Sequence, residues 1–281
     1  VYLVNKLLKE QDKEELQETF SSVYKSDGTQ DCDESYFIDI MALKLGVHSN
    51  QIEPKEDEIP SQIEKMIWHL ENPPDNSLMS SWHTFKLVAS TDVKVTLDGQ
   101  GADEQLGGYL PYLLNYISSL SIVDMFSQAK KCLQIPNSSK YVFVGLCLGL
   151  YRVLFGEKFL KFTIKNIFKR DFETNLNKKL GIDTMGSLIT LIHYADHTSM
   201  AFSIESRMPF MDYRLVEFLA SVPACYKMRD GWTKYLARLA FDGKLPDEIN
   251  WRKDKMGWPI PENYWFRGEL KNWFIDKIKY S

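Results

Sequence analysis

The amino-acid sequence predicts an α/β fold, a parallel sheet with flanking helices, followed by a mostly helical second half. Three observations predict it. Residues 1–110 alternate helical and strand patterns at the spacing of βαβ units. From Pro111 onward helical spacing dominates and strand signals are few. A β-branched run, Val93–Leu97, leads into a glycine-rich acidic turn, as expected at the carboxyl end of a buried parallel strand. The expected organisation is one domain over residues 1–281, with an α/β part over 1–110 and a mainly helical part over 111–281.

The elements follow in order. VYLVNKLLKE opens the chain and places Leu3, Leu7 and Leu8 on one helical face. ETFSSVY (Glu18–Tyr24) reads as a strand, followed by a polar loop. SYFIDIMALKLG (Ser35–Gly46) reads as an amphipathic helix with Gly46 placed to cap it. VHSNQIEP returns as a strand, and SQIEKMIWHLE forms the next helix. NPPDNS (Asn72–Ser77) breaks the chain before the helical LMSSWHTFKLVAS and the strand DVKVTLDG. The most apolar segment, YVFVGLCLGLYRVLF (Tyr141–Phe155), contains Arg152 and is shorter than the roughly 20 residues that cross a bilayer. It is expected to be a buried helix.

Composition narrows the classes of function. The chain has 281 residues, 44% of them hydrophobic, enough for a large core. Its net charge of -4 gives no bulk reason for a nucleic-acid or anionic-membrane partner. The short basic cluster Lys165, Lys169 and Arg170 reads as a solvated helix face. The four cysteines show no C-x-x-C spacing, so buried free thiols in a reducing compartment are expected. The five histidines lack metal-ligand spacing. With no secretory signal at the start, these features lead to the expectation of a cytoplasmic protein without membrane or nucleic-acid partners.

VTLDGQGADEQLGGY (Val95–Tyr109) concentrates four glycines, two aspartates and one glutamate. Gly99 and Gly101 permit positive φ and let backbone N–H groups approach a ligand closely. Asp103 is a candidate for Mg²⁺, which takes carboxylate oxygens and shared phosphate oxygens. Gly107 and Gly108 allow a tight exit. The same residues also suit a structural turn whose acids cap the next helix. Neither the Walker pattern nor the dinucleotide G-x-G-x-x-G occurs here.

Three motifs in order give the chain a resemblance to the synthetase domain of the glutamine-hydrolysing asparagine synthetase family. They are LDGQGADEQLGGY, DHTSMAFSIESRMPFMDYRLVEF (Asp196–Phe218) and LPDEINWRKDKMGWPIP (Leu245–Pro261). The resemblance implies an adenine-nucleotide α-hydrolase-like fold that binds ATP and Mg²⁺. It implies adenylation of the aspartate β-carboxylate, release of pyrophosphate, and displacement of AMP by ammonia to give asparagine; the same motifs also fit a relative acting on another carboxylate in polysaccharide or natural-product biosynthesis, or a nucleotide-binding remnant without catalysis. In the family that ammonia comes from glutamine, hydrolysed in a separate N-terminal glutaminase domain. The resemblance is also compatible with a homodimer.

Carried over by position, Asp103 falls on the metal-binding aspartate and Lys255 on the lysine that stabilises developing phosphate charge. Gln100 takes the place often held by a catalytic glutamate. Ser22, Asp98, Gly99, Gly101 and His197 fall on nucleotide- or substrate-binding positions, with His197 standing where relatives often carry Arg or Lys. Glu205 and Arg207 are read as scaffold, and Met200, Phe202 and Ile204 as core. Two departures stand out. An amide at Gln100 cannot accept a proton at neutral pH, so a base, if needed, falls to Glu104 or to substrate. The family's Ser-Gly-Gly-x-Asp-Ser phosphate loop and its strand do not occur here, and VYLVNKLLKE resembles the helix that follows that loop. The expectation is therefore that these 281 residues alone do not adenylate aspartate.

Overall fold

A computed structural model describes residues 1–13, 17–72, 78–254, 260–268 and 270–279. Among the described residues four strands are present: β1 (Glu18–Ser22), β2 (His48–Ile52), β3 (Val95–Leu97) and β4 (Glu205–Arg207). The helices before β3 are α1 (Tyr2–Glu10), α2 (Ser35–Leu45), α3 (Ile59–Leu70) and α4 (Leu78–Val88). Between β3 and β4 come α5 (Ala102–Leu106), α6 (Tyr112–Ser119), α7 (Ile122–Cys132), α8 (Ser139–Phe155), α9 (Glu157–Phe168), α10 (Leu176–Thr184) and α11 (Ser187–Met200). After β4 come α12 (Tyr213–Ser221), α13 (Ala224–Lys227), α14 (Tyr235–Phe241), α15 (Asp247–Asn250), α16 (Glu262–Arg267) and α17 (Lys271–Lys279). Two compact units result. The first joins Val1–Leu97, His193–Arg207 and the described part of Met256–Ser281; the second joins Asp98–Ile192 and the described part of Met208–Lys255.

The first unit carries the strands. β1 pairs in parallel with β2, from Glu18 opposite His48 to Ser22 opposite Ile52. β3 pairs in parallel with β4, Thr96 opposite Ser206. Among the described residues, two two-stranded ribbons therefore stand where one sheet was expected. α4 packs on the first ribbon: Ser22 Oγ donates to the Ser80 carbonyl at 2.9 Å and lies 2.9 Å from Thr84 Oγ1. Phe85 and Val88 of α4 form a buried cluster with Ile204, joined by Phe20, Val93 and Phe202. Gly46 ends α2 with φ 66, the left-handed cap expected from its position.

Several expectations change here. Leu3 and Leu7 of α1 are more than half exposed, and Asn5 is the buried residue of that helix. Val95 and Leu97 of β3 are exposed rather than buried. β4 lies in a region expected to be helical. Three residues of alternating exposure leave no local pattern, and their partner strand lies more than 100 residues earlier. Glu205 and Arg207 are an exposed pair, with Arg207 Nε donating to Glu205 Oε1 at 2.7 Å. On a strand, residues two apart share a face. Met200 is 56% exposed, whereas Ile204 is buried and Phe202 packs edge-on against Trp82.

α4 also buries His83, 1% exposed, whose Nε2 has no hydrogen-bond partner among the described residues. Burial, aided by the Lys86 charge and opposed by Glu58, pulls its pKa down to about 4. The folded state thus holds His83 neutral, while the unfolded chain titrates near the usual 6.5. A depressed histidine contributes stability above the unfolded pKa and loses it as pH falls towards the folded value. Between pH 6.5 and 4 the loss approaches about 3 kcal/mol. Thermal melts over that window are expected to drop more steeply for the native chain than for His83→Gln, which cannot charge. Parallel curves would remove His83 as the cause.

The second unit is helical around Leu113, Tyr116, Ile117, Met125, Val142 and Leu180. α8 crosses α6 closely because its inward face is small. A Cβ on Gly145 would lie 3.2 Å from Ile117 Cβ, and one on Gly149 would lie 2.3 Å from Met125 Sδ. α8 is thus not the wholly buried helix expected: Phe143 is 67% exposed and Leu154 is 74% exposed. The four cysteines are free, as expected, yet only Cys132 is fully buried, with burial pushing its thiol up to about 11. Cys147 and Cys225 are exposed. No helix of the described residues is long and apolar enough to cross a membrane.

Candidate functional site

The glycine-rich turn opens the second unit directly after β3. Asp98 is half-buried, and burial raises its pKa, while the backbone N–H groups of Gly99 and Gln100 donate to it and work the other way. Two of the turn's donors are thus aimed at its own carboxylate. Gly99 is exposed, and an added Cβ there would meet nothing within 4 Å. Gly99 does not use the positive φ expected of it; Gly101 does, at 92. A Cβ on Gly101 would sit 2.8 Å from Met211 Sδ and 3.1 Å from Gln105 Nε2. The close approach that requires glycine here is to the protein's own Met211.

Asp103 lies in the first turn of α5 and meets Lys234, Nζ to Oδ1 2.9 Å, with both side chains less than a third exposed. Lys234 precedes α14 with a left-handed φ of 50, unfavourable for a residue with a Cβ by about 1–2 kcal/mol. Gly108 makes room for the pair: a Cβ there would fall 1.7 Å from Asp103 Oδ1 and 2.4 Å from Lys234 Cε. Lys234 carries no local signal of this role. Its partner lies 131 positions away, so only the folded chain brings the two together.

The rest of the turn is anchored inward. Glu104, the alternative base, is 1% exposed and accepts from Tyr109 Oη at 2.7 Å. It points into the helical core and not outward. Tyr112 Oη donates to Asp183 at 2.9 Å, and burial beside these carboxylates pushes both phenols far up. Gln105 Nε2 donates to the Phe210 carbonyl at 2.7 Å, so the Pro209–Met211 turn closes over the glycine turn within this unit. Asp212 then caps α12 through the Arg214 N–H at 3.0 Å, and the Arg214 guanidinium helps pull its pKa to about 2.

The third motif is held by its neighbours. Asn250 Nδ2 donates to the Arg238 carbonyl at 2.9 Å, and the Arg238 guanidinium donates back to the Asn250 carbonyl. Arg252 pairs with Asp254 at 2.9 Å, and Lys253 donates to Gln134 at 2.6 Å. Lys255 lies outside the described residues. A further cation without a sequence signal is Lys227, 2% exposed, which burial pulls down to about 8.

Ser22 and His197 belong to the first unit. The Ser22 hydroxyl is committed to α4, as described above. His197 Nδ1 lies 2.9 Å from the His69 carbonyl, and its ring centre is 4.1 Å from that of His193. A carbonyl can only accept, so Nδ1 carries the proton and the neutral ring leaves Nε2 as an acceptor. Of the candidates, the fold therefore gathers Asp98, Gly99, Gln100, Gly101 and Asp103 on one turn and adds Lys234.

Fold and site together define a helix-rich α/β protein with small parallel sheets and an aspartate–lysine pair on a glycine-rich turn after a strand. The chain belongs to the asparagine synthase family, whose pattern matches residues 3–281. It is 25% identical over 272 residues to asparagine synthetase [glutamine-hydrolyzing] 1 of Bacillus subtilis (strain 168), covering 85% of this chain and 42% of that protein. It is 24% identical over 287 residues to amidase chry2 of Gibberella zeae, covering 85% of this chain and 43% of that protein. A segment of 61 residues is 41% identical to the Gallus gallus asparagine synthetase [glutamine-hydrolyzing], covering 21% of this chain and 11% of that protein. The chain thus spans about two-fifths of the length of the first two.

Proposed function

We propose that this chain is the synthetase part of an ATP-dependent amide-forming ligase that adenylates the aspartate β-carboxylate. Ammonia derived from glutamine then displaces AMP to give asparagine, with pyrophosphate as the other product. The observation that carries this reading is the Asp103–Lys234 pair on the glycine turn of an asparagine synthase family chain. Among the described residues no group of three or more His, Cys, Asp or Glu could hold a metal ion. A single carboxylate fits Mg²⁺, which binds through one or two carboxylates and completes its shell with phosphate and water. Asp103 would hold it, and Gly108 keeps the space for that carboxylate clear. When bound, Mg²⁺ neutralises charge on the polyphosphate.

The chain's own residues supply the rest. Lys234 places a cation beside the polyphosphate as charge builds on it, and the resemblance assigns Lys255 the same task. Asp98 orders the turn by drawing in the N–H groups of Gly99 and Gln100. The Gln100 amide orients the carboxylate substrate by hydrogen bonds and moves no proton. The resemblance also assigns Ser22 a nucleotide-binding position, and its hydroxyl is engaged with α4.

A second reading keeps the adenylation and changes the carboxylate, and the relatives named amidases favour it. One experiment separates the readings. AMP and pyrophosphate release by the full-length protein is measured with ATP, Mg²⁺ and ammonia, using aspartate and then a panel of other carboxylates. Aspartate-dependent release is expected, with Asp103→Ala lowering it by about 100-fold or more. Release with another carboxylate alone selects the second reading, and activity indifferent to Asp103→Ala removes the metal assignment.

A further inference from the structure

α8 and α9 are amphipathic in an unusual sense. The inward face of α8 is made by Val142, Gly145 and Gly149, and its large apolar side chains point outward. Phe143, Cys147, Leu150 and Leu154 recur at helical spacing on that outer face, all exposed. A ladder of rings continues the strip into α9. Tyr151 meets Phe155 at 4.7 Å, Phe155 meets Phe159 at 5.9 Å, and Phe159 meets Phe162 at 6.3 Å. Phe155, Phe159 and Phe162 are 58%, 49% and 63% exposed. An apolar strip of this extent marks an interaction surface rather than scattered exposure.

Charge selects its occupant. Residues 139–170 carry seven basic side chains and one acidic, Glu157, in a chain whose net charge is -4. Lys158 and Lys165 share the exposed side of α9 with Phe162, opposite the buried Leu160; Lys165 also meets the exposed Asp171 at 3.1 Å, and Lys169 follows as the exposed cap of the helix. The expectation of no membrane partner rested on whole-chain charge, and here the positive charge is local. We propose that the outer face of α8 and α9 docks on an anionic membrane surface. The aromatic and aliphatic strip sinks into the headgroup boundary while the lysines meet lipid phosphates. α8, at 17 residues, is shorter than a span, so the hairpin lies on the bilayer and does not cross it. A two-fold dimer through the same face would set these lysines against their own copies, which disfavours a second copy as occupant.

The test uses the full-length protein and vesicles of phosphatidylcholine with or without about 30% phosphatidylglycerol, at about 0.05 and 0.5 M salt. Sedimentation with the anionic vesicles is expected, falling at high salt and without phosphatidylglycerol. Phe159→Glu/Phe162→Glu and Lys158→Glu/Lys169→Glu should each weaken it about tenfold or more with unchanged circular dichroism. A polarity-sensitive dye on exposed Cys147, in a Cys32→Ser/Cys225→Ser background, should shift to the blue on the vesicles. Absence of sedimentation overturns the proposal, as does sedimentation that leaves the dye unmoved. So does a solution dimer that Phe159→Glu/Phe162→Glu dissociates, which would assign the face to a second copy.

Discussion

Replacing Gly108 with alanine is expected to separate Asp103 from Lys234 while leaving the fold in place. The new Cβ would lie 1.7 Å from Asp103 Oδ1 and 2.4 Å from Lys234 Cε, so both side chains must move. Both contacts are with ends of flexible side chains, and the backbone can stay where it is. Stability should fall by about 1–3 kcal/mol, the usual range for overpacking. The response of the protein to Mg²⁺ and ATP should fall much further, because the displaced carboxylate is the proposed metal ligand. Gly99→Ala is the matched control, since its Cβ meets nothing within 4 Å. A double-mutant cycle sharpens the test. With Asp103→Ala already present, Gly108→Ala should cost little, because the closest contact is gone. Equal losses in the two backgrounds would show that Gly108 does not act through Asp103.

Trp82→Ala should cost about 3–5 kcal/mol, a large part of the stability of a typical domain. Trp82 is 2% exposed and sits among Ile59, Met66, Leu70 and Met79. Its ring meets Phe202 edge-on at 4.6 Å and His69 at 5.8 Å. Its Nε1 donates to Gln62 Oε1 at 2.9 Å, and Gln62 is itself buried. Truncation therefore opens a cavity and strands an amide oxygen at once. Urea unfolding followed by circular dichroism should show a lower midpoint with an unchanged slope. Trp82→Phe keeps most of the packing and loses the hydrogen bond, so about 1–2 kcal/mol is expected. A Trp82→Ala loss below about 1 kcal/mol would mean that the core of the first unit is not organised around this ring.

Much of the local structure was legible. β1, β2 and helices α2, α3 and α4 fall where periodicity and breakers put them, because those signals act within a dozen residues. The Gly46 cap followed from its place after an apolar helix. The glycine turn was visible as composition, though its use was only half visible. Gly101 takes a positive φ and packs against Met211 more than 100 residues away, and Gly99 does neither. α8 was misread because hydrophobicity reports what a residue tolerates and not which side the neighbours cover. Its glycines are the close-packing face, and that is decided by Ile117 and Met125.

By itself the sequence determined the α/β class, the order of the main elements, the family and the place of the glycine-rich acidic turn. These depend on short-range patterns and on residue types that survive without coordinates. Only the tertiary structure decided that Lys234 is the partner of Asp103, that β4 pairs with β3, and that His197 spends its Nδ1 proton on His69. It also decided that the apolar side of α8 faces outward. Each of these joins residues far apart in the chain or compares two faces of one helix. Such pairings are settled by packing, which no local window of sequence contains.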